Sequence, residues 1–473
     1  MQSNLPRTLF WAALVASTTL VVFDGASAEP AAEKAPAGKP DTELATLAED
    51  AYLYGYPLVL MDATMRAMTN VPEPKGEKAP VNQFARVDVL PDASFTSIVR
   101  PNVDTLYTSA FLDLEKEPIV LHMPDTQGRY YLMPMLDAYT NVFASPGKRT
   151  MGTKAKDFAI VGPGWKGTLP KGVTKIQAPT NLVWVLGRTQ INGKDDLPSV
   201  VALTKDYTLT PLSTFGQPYT PPKNDKIDTN VTMEMAPPRV VAAMDDPEFF
   251  TRLAALMKEN PPSAKDRAAV ARFKALGLEP GKFEPSEAAK GGIEGAGERA
   301  RKRMDERMLD IGKLVNGWRM DTSLGSYGTR YLDRAVVALD GLGANLAADA
   351  LYPMAFVDEK GEPLNGENRY VLHFAKGKEP PVNAFWSVTL YDPKGYLAAN
   401  PIDRFAIGSR DKLKRNKDGS LDILIQSEPP EGDMAANWLP APKGEFNLAL
   451  RLYWPKQQVV SGAWKPPAVK KAE

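Results

Sequence analysis

The chain changes its hydrophobic rhythm several times. Leu44, Leu47, Ala48, Ala51, Tyr52, Gly55 and Leu58 recur at helical spacing. Asp41 or Thr42 is placed to cap this helix, which is expected to run to about Thr69 with a kink at Pro57. From about Phe95 to Phe215 the pattern predicts strands at Thr105–Leu114, Pro118–Met123, Arg129–Leu136 and Asn181–Ile191, with a short helix at Leu197–Tyr207. After a Pro-rich joint at Pro218–Asn224, helical spacing returns to about Leu346. It predicts helices at Glu248–Lys258, Ala264–Leu276, Glu298–Trp318 and Tyr331–Leu342, with a loop at Glu284–Gly297. From Tyr352 onward the rhythm is again that of strands: Tyr370–Ala375, Phe385–Tyr391, Ser420–Gln426 and Phe446–Tyr453. Asp418-Gly419 marks a tight turn, and Lys465–Glu473 is expected to fray.

The two strand regions repeat each other. A shift of 255 carries Tyr130-Tyr131 onto Phe385-Trp386, Asp137 onto Asp392 and Arg149 onto Arg404. A shift of 263 carries Ala178-Pro179 onto Ala441-Pro442 and Arg188 onto Arg451. Val120-Leu121-His122 echoes Val371-Leu372-His373. The expected fold class is therefore α+β: two related antiparallel β-sandwich domains, jelly-roll-like, with helical segments before each. The boundaries read as a helical segment at 41–94, a first sandwich at 95–215, a helical region at 216–346 and a second sandwich at 347–473.

Composition narrows the chemistry. The 473 residues contain no Cys, which excludes thiol catalysis, thiolate metal sites and disulfides. Lys+Arg and Asp+Glu balance at 57 each, which argues against a nucleic-acid surface. Residues 1–28 read as an export signal: Arg7, an apolar run from Leu9 to Phe23, and the small-x-small site Ala26-Ser27-Ala28. Cleavage after Ala28 would leave a flexible linker at 29–40 and a periplasmic or secreted protein. No later stretch reads as a membrane span.

The distinctive stretches are Arg100-Pro-Asn-Val-Asp-Thr-Leu-Tyr107, Gly128-Arg-Tyr-Tyr131 and Gly162-Pro-Gly-Trp165. In the second half they are Ala384-Phe-Trp-Ser-Val-Thr-Leu-Tyr-Asp392, Asn400-Pro401, Asp418-Gly-Ser420 and Asn437-Trp-Leu-Pro-Ala-Pro442. With these the chain resembles an exported bacterial family that combines the domains of unknown function 1254 (N-terminal) and 1214 (C-terminal). The resemblance implies two β-sandwiches with helical additions and carries no activity.

The two histidines, His122 and His373, sit inside apolar strands and read as packed residues; a shared cleft between them is the other reading. Asp104 is the acid/base candidate, with Asn102 and Tyr107 orienting a substrate and Arg100 holding an anionic group. Trp386, Tyr391, Asn437 and Trp438 form an aromatic and amide set suited to stacking on a small molecule or glycan. Asp137 with Arg149, and Asp392 with Arg404, are expected to be structural ion pairs. No metal or other cofactor is expected. These residues suggest a hydrolase of a small or carbohydrate-like molecule working by carboxylate chemistry. The alternatives are a non-catalytic envelope protein that binds a small molecule or glycan, and a structural or assembly module.

Overall fold

Residues 42–96, 98–231 and 235–472 are described by the computed structural model. The expected export signal, the expected linker and the cap candidate Asp41 lie outside them. The first helix, Thr42–Thr69, runs unbroken through Pro57. It is buried on every side from Ala51 to Thr64, because the later helices wrap it. The two helical regions of the sequence are thus one lobe, built around Tyr52, Tyr54, Leu58, Phe249, Phe250 and Leu253.

The first half contributes β1 (Ala85–Arg86), β2 (Thr105–Asp113), β3 (Ile119–Met123), β4 (Tyr131–Leu132), β5 (Met135–Asp137), β6 (Val142–Ala144), β7 (Lys156–Val161), β8 (Thr174–Gln177), β9 (Leu182–Gln190) and β10 (Thr208–Pro211). A small hairpin in the helical lobe adds β11 (Leu278–Glu279) and β12 (Lys282–Phe283). The second half contributes β13 (Lys313–Val315), β14 (Trp318–Met320), β15 (Ala350–Leu351), β16 (Met354–Ala355), β17 (Tyr370–Phe374), β18 (Val382–Tyr391), β19 (Ala406–Gly408), β20 (Leu421–Gln426), β21 (Trp438–Pro440), β22 (Asn447–Pro455) and β23 (Val469–Lys471).

In the first half, the sheet β1-β2-β9-β5-β6 packs on the sheet β10-β3-β7-β8. In the second, β14-β16-β22-β18-β19 packs on β23-β17-β20-β21. The second central sheet carries one further edge strand, β13 beside β14, and apart from it the two orders match. Even the parallel pair recurs, β7 with β8 and β20 with β21. Alternate residues fill each interior: Leu121, Phe158, Val183 and Val185 in one, Leu372, Val388, Ile423 and Leu450 in the other. Each such side chain contributes roughly 1.5–3 kcal/mol by leaving water.

Both alignment shifts appear in the hydrogen-bond register. Leu132 faces Arg188 across β4–β9, and Ser387 faces Arg451 across β18–β22. Asp137 and Asp392 are also equivalent, but neither forms the expected ion pair. Each carboxylate accepts backbone N–H groups two and four residues on: Tyr139 and Asn141 for Asp137, Lys394 and Tyr396 for Asp392. These are turn braces, a role that short acidic side chains fill without a cation. Arg149 bonds Asp349 instead, and Arg404 donates to the carbonyls of Ala435 and Trp438.

Three boundaries differ from expectation. The helix begun at Ala296 ends at Met308, and Trp318 stands on β14. Residues 284–297 contain a helix, Glu287–Ile293, capped by the Ser286 side chain. The C-terminal tail does not fray, because β23 pairs with β17 and closes the outer sheet.

The Asp137 turn makes a pH prediction. Burial raises its carboxyl to about 6, despite the hydrogen bonds from Asn141 and Tyr139 and the charge of Arg334. The folded value lies above the unfolded one, so the full contribution to stability is present below about pH 4 and is lost as pH rises to about 6. The expected loss is about 3 kcal/mol. Asp137→Asn keeps an acceptor oxygen and is expected to flatten this slope. Melting temperatures of both proteins between pH 4 and 7 check it, and parallel curves would rule Asp137 out.

Candidate functional site

The outer faces of the two central sheets meet each other, with Tyr130 and Leu132 against Phe385 and Tyr453. This contact is polar where it is most symmetric. Asp104 and Tyr107 recur 245 residues on as Asp349 and Tyr352, and Gly147 and Arg149 recur 261 residues on as Gly408 and Arg410, so the counterpart of Arg149 is Arg410 and not the expected Arg404. Register supports the match: Leu132 bridges Gly147, and its equivalent Ser387 pairs with Gly408. Both glycines are needed, because a Cβ would meet Tyr131 O at 2.6 Å or Trp386 O at 2.1 Å.

The charges cross between halves. Arg149 of the first half holds Asp349 of the second through Nε at 2.6 Å and Nη2 at 3.1 Å. Arg410 of the second half holds Asp104 of the first, and Ser387 Oγ donates to the same carboxylate at 2.5 Å. Asp104 is 1% exposed, so its carboxylate is fully committed.

The two repeated arginines cross in the same way. Arg188 donates to the Asn345 side chain at 2.5 Å and to Gly343 O at 3.2 Å, on the segment leading into the second sandwich. Arg451 donates to Arg100 O at 3.0 Å, on the segment leading into the first, and to Tyr391 Oη at 2.6 Å. Each guanidinium lies over a tyrosine ring, Arg188 over Tyr107 at 5.1 Å and Arg451 over Tyr352 at 4.9 Å. Both arginines are buried, and among the described residues neither forms an ion pair with a carboxylate.

A cavity of about 600 Å³ opens onto this cluster. Its floor holds Arg188, Tyr107 and Asn102, and Trp184, Leu186 and Leu342 wall it. Trp184 is fixed by its indole N–H to Ser109 Oγ at 2.9 Å and by stacking on Phe111. The segment before β2 roofs the cavity. Arg100, at φ 53 ahead of Pro101, is held there by its N–H to Gly395 O at 2.7 Å.

Tyr107 is the focus of the cluster. Its hydroxyl accepts from Arg188 Nε at 3.3 Å and Asn102 Nδ2 at 3.4 Å. Burial opposes ionisation of the phenol, but the charges of Arg188 and Arg451 and these hydrogen bonds outweigh it and hold its pKa below the ordinary value. Burial moves its neighbours Tyr352 and Tyr453 the other way.

Of the residues singled out from the sequence, Arg100, Asn102 and Tyr107 line the cavity. Tyr391 sits behind it, donating to Pro101 O at 2.8 Å. Trp386, Asn437 and Trp438 make no stacking platform. Trp386 packs inside the second sandwich. Asn437 is fully buried and ties down the backbone of Lys414 and Asp422. Trp438 donates to Gln426 O. His122 and His373 bond Asp157 and Asp422 at 2.7 and 2.6 Å, each on its own outer sheet. Arg188, Arg451, Tyr352 and Tyr453 belong to this buried cluster although the motifs did not single them out. Their signal was a charge or hydroxyl inside an apolar strand, twice over for the arginines.

Two family models match the chain. "Protein of unknown function (DUF1254)" covers residues 81–211, and "Protein of unknown function (DUF1214)" covers 349–457. The chain belongs to the family that joins these two domains in this order. The first matched region takes in β1 to β10 and the second takes in β15 to β22, and the cavity residues Asn102, Tyr107 and Arg188 fall within the first. Among solved structures, the VPA0106 protein from Vibrio parahaemolyticus is similar over 91% of this chain and 100% of its own, at TM-score 0.70 and 24% identity, which shows a shared fold. An uncharacterized protein from Burkholderia cenocepacia is similar over 91% and 94%, at TM-score 0.43 and 12% identity. Comparison with curated proteins finds no match.

Among the described residues, no helix is long and apolar enough to cross a membrane.

Proposed function

We propose that this protein binds a small organic anion in the cavity beneath the segment before β2. The observation that carries the reading is the buried guanidinium of Arg188, which lines an apolar-walled cavity and forms no ion pair with a carboxylate among the described residues. Buried charge without a partner is costly, and an anionic group on a ligand supplies one. Arg188 takes the anion, and Trp184, Leu186 and Leu342 take the apolar body. The export signal expected at residues 1–28 supports putting this binding outside the cytoplasm. Acid/base hydrolysis by Asp104 is the weaker reading, because its carboxylate is already bonded by Arg410 and Ser387.

Calorimetry with benzoate, octanoate and their neutral amides tests the proposal. The acids are expected to bind and the amides to bind at least about tenfold more weakly. Arg188→Met, folded by circular dichroism, is expected to lose about 30-fold in affinity for the acids, near 2 kcal/mol. Equal affinity for acid and amide would sink the idea.

A further inference from the structure

Arg188 explains one end of the cavity and leaves the other unexplained. Trp184, Leu186 and Arg188 are alternate residues of β9, so they line the cavity in a row. Across β2, Arg188 pairs with Tyr107 and Trp184 with Phe111. Four residues of strand, roughly 13 Å, therefore separate the guanidinium end from the indole end. The chain around β1 runs antiparallel along the other edge of β2. Val87 N–H donates to Tyr107 O, and Asn82 N–H donates to Phe111 O. The residues before Asn82 thus lie at the indole end. There Ala79 N–H donates to Met68 O, and Met68 packs on the cluster that holds Trp184. Glu77, two residues before Ala79, lines the cavity at this end.

Glu77 is half-buried, and among the described residues its carboxylate has neither a hydrogen bond nor an ion pair. Lys78 acts on it only through its field, and burial raises its carboxyl above the ordinary value. The other carboxylate of the wall, Asp92, is taken up by the Ser94 N–H and hydroxyl at 2.8 and 2.6 Å. The cavity thus carries an unpaired cation at one end, an unpaired anion at the other and an apolar wall between them. We propose that its ligand is amphoteric: a carboxylate held by Arg188, a protonated amine held by Glu77, and an apolar chain lying along Leu186 and Trp184. The proposal rests on the anion-binding reading and deepens it, because it fixes the second charge of the ligand and where that charge sits.

Calorimetry at neutral pH with octanoate, ω-aminooctanoate and octanedioate tests this. The three share a chain and an acid and differ only at the far end. The amino acid is expected to bind about fivefold more tightly than octanoate, the size of a partly exposed ion pair. Octanedioate is expected to bind more weakly than octanoate, because its second carboxylate meets Glu77. Glu77→Gln should bring the three affinities together. Glu77→Lys should reverse the order, so that octanedioate becomes the tightest. Glu77 lies outside the hydrophobic clusters, so both variants are expected to fold, and circular dichroism checks this.

An order unchanged between wild type and Glu77→Lys would overturn the proposal, as would an amino acid that binds the wild type no better than octanoate. In both cases octanoate still binds through Arg188, so the anion-binding reading survives and only the role of Glu77 is lost. If octanoate itself does not bind, the anion-binding reading has failed and the amphoteric ligand falls with it.

Discussion

Asp104→Ala is expected to destabilise the protein by about 3–5 kcal/mol. The carboxylate is almost fully buried, and it holds both Arg410 and the Ser387 hydroxyl from the other half of the molecule. Removing it leaves a guanidinium against the Phe385 ring with its charge unanswered. The loss should appear in urea unfolding as a lower midpoint. Pairing the change with Arg410→Met removes the stranded cation and should restore part of the stability. Asp349→Ala is expected to behave alike, since Asp349 is 2% exposed and takes a two-pronged bond from Arg149. A loss under about 1 kcal/mol in both single variants would mean that these pairs do not hold the halves together.

The second large effect lies in the helical lobe. Arg334 is 1% exposed and sits 5.2–5.5 Å from the ring centres of Tyr54, Tyr139 and Tyr331. It also donates to Tyr54 O at 3.1 Å. Desolvated cation–π contacts contribute roughly 0.5–2 kcal/mol each, so Arg334→Met is expected to cost about 3 kcal/mol although methionine fills much of the same space. The variant carries its own internal check. Arg334 is the cation that lowers the Asp137 carboxyl, so its loss should move that titration further above about 6. Thermal unfolding followed over pH reads both quantities, and a variant with unchanged stability and an unchanged pH profile would remove Arg334 from this role.

Much of the fold was legible because strands announce themselves by alternation. Trp386, Val388 and Leu390 do point into one core, as their period of two requires. The other face of the same strand was misleading. Phe385, Ser387 and Tyr391 face the first half of the chain, so both faces are buried and alternation no longer marks a surface. For that reason Trp386 looked available for ligand when it is core.

The site was half visible. Asn102 and Tyr107 stood out as part of one compact motif. Arg188 and Arg451 stood out only as a repeat, because their partners lie about 155 to 350 residues away. Nearness along the chain also suggested that Asp137 pairs with Arg149. The true partner, Asp349, is 200 residues distant, and only the packing of one half on the other brings it near.

Crossed acid–base pairs are the bonding pattern of an isologous dimer, in which each subunit lends the other what it takes in return. Here both subunits are one polypeptide. The contact therefore forms at the effective concentration set by the chain and does not weaken on dilution. Joining also releases the halves from having to fit a copy of themselves. Tyr391 stands where the first half has Leu136, and its hydroxyl reaches Arg451, while the corresponding space beside Arg188 is open cavity. One repeated position is filled by a side chain in one half and opens onto a cavity in the other, a difference that a symmetric pair of identical chains cannot make.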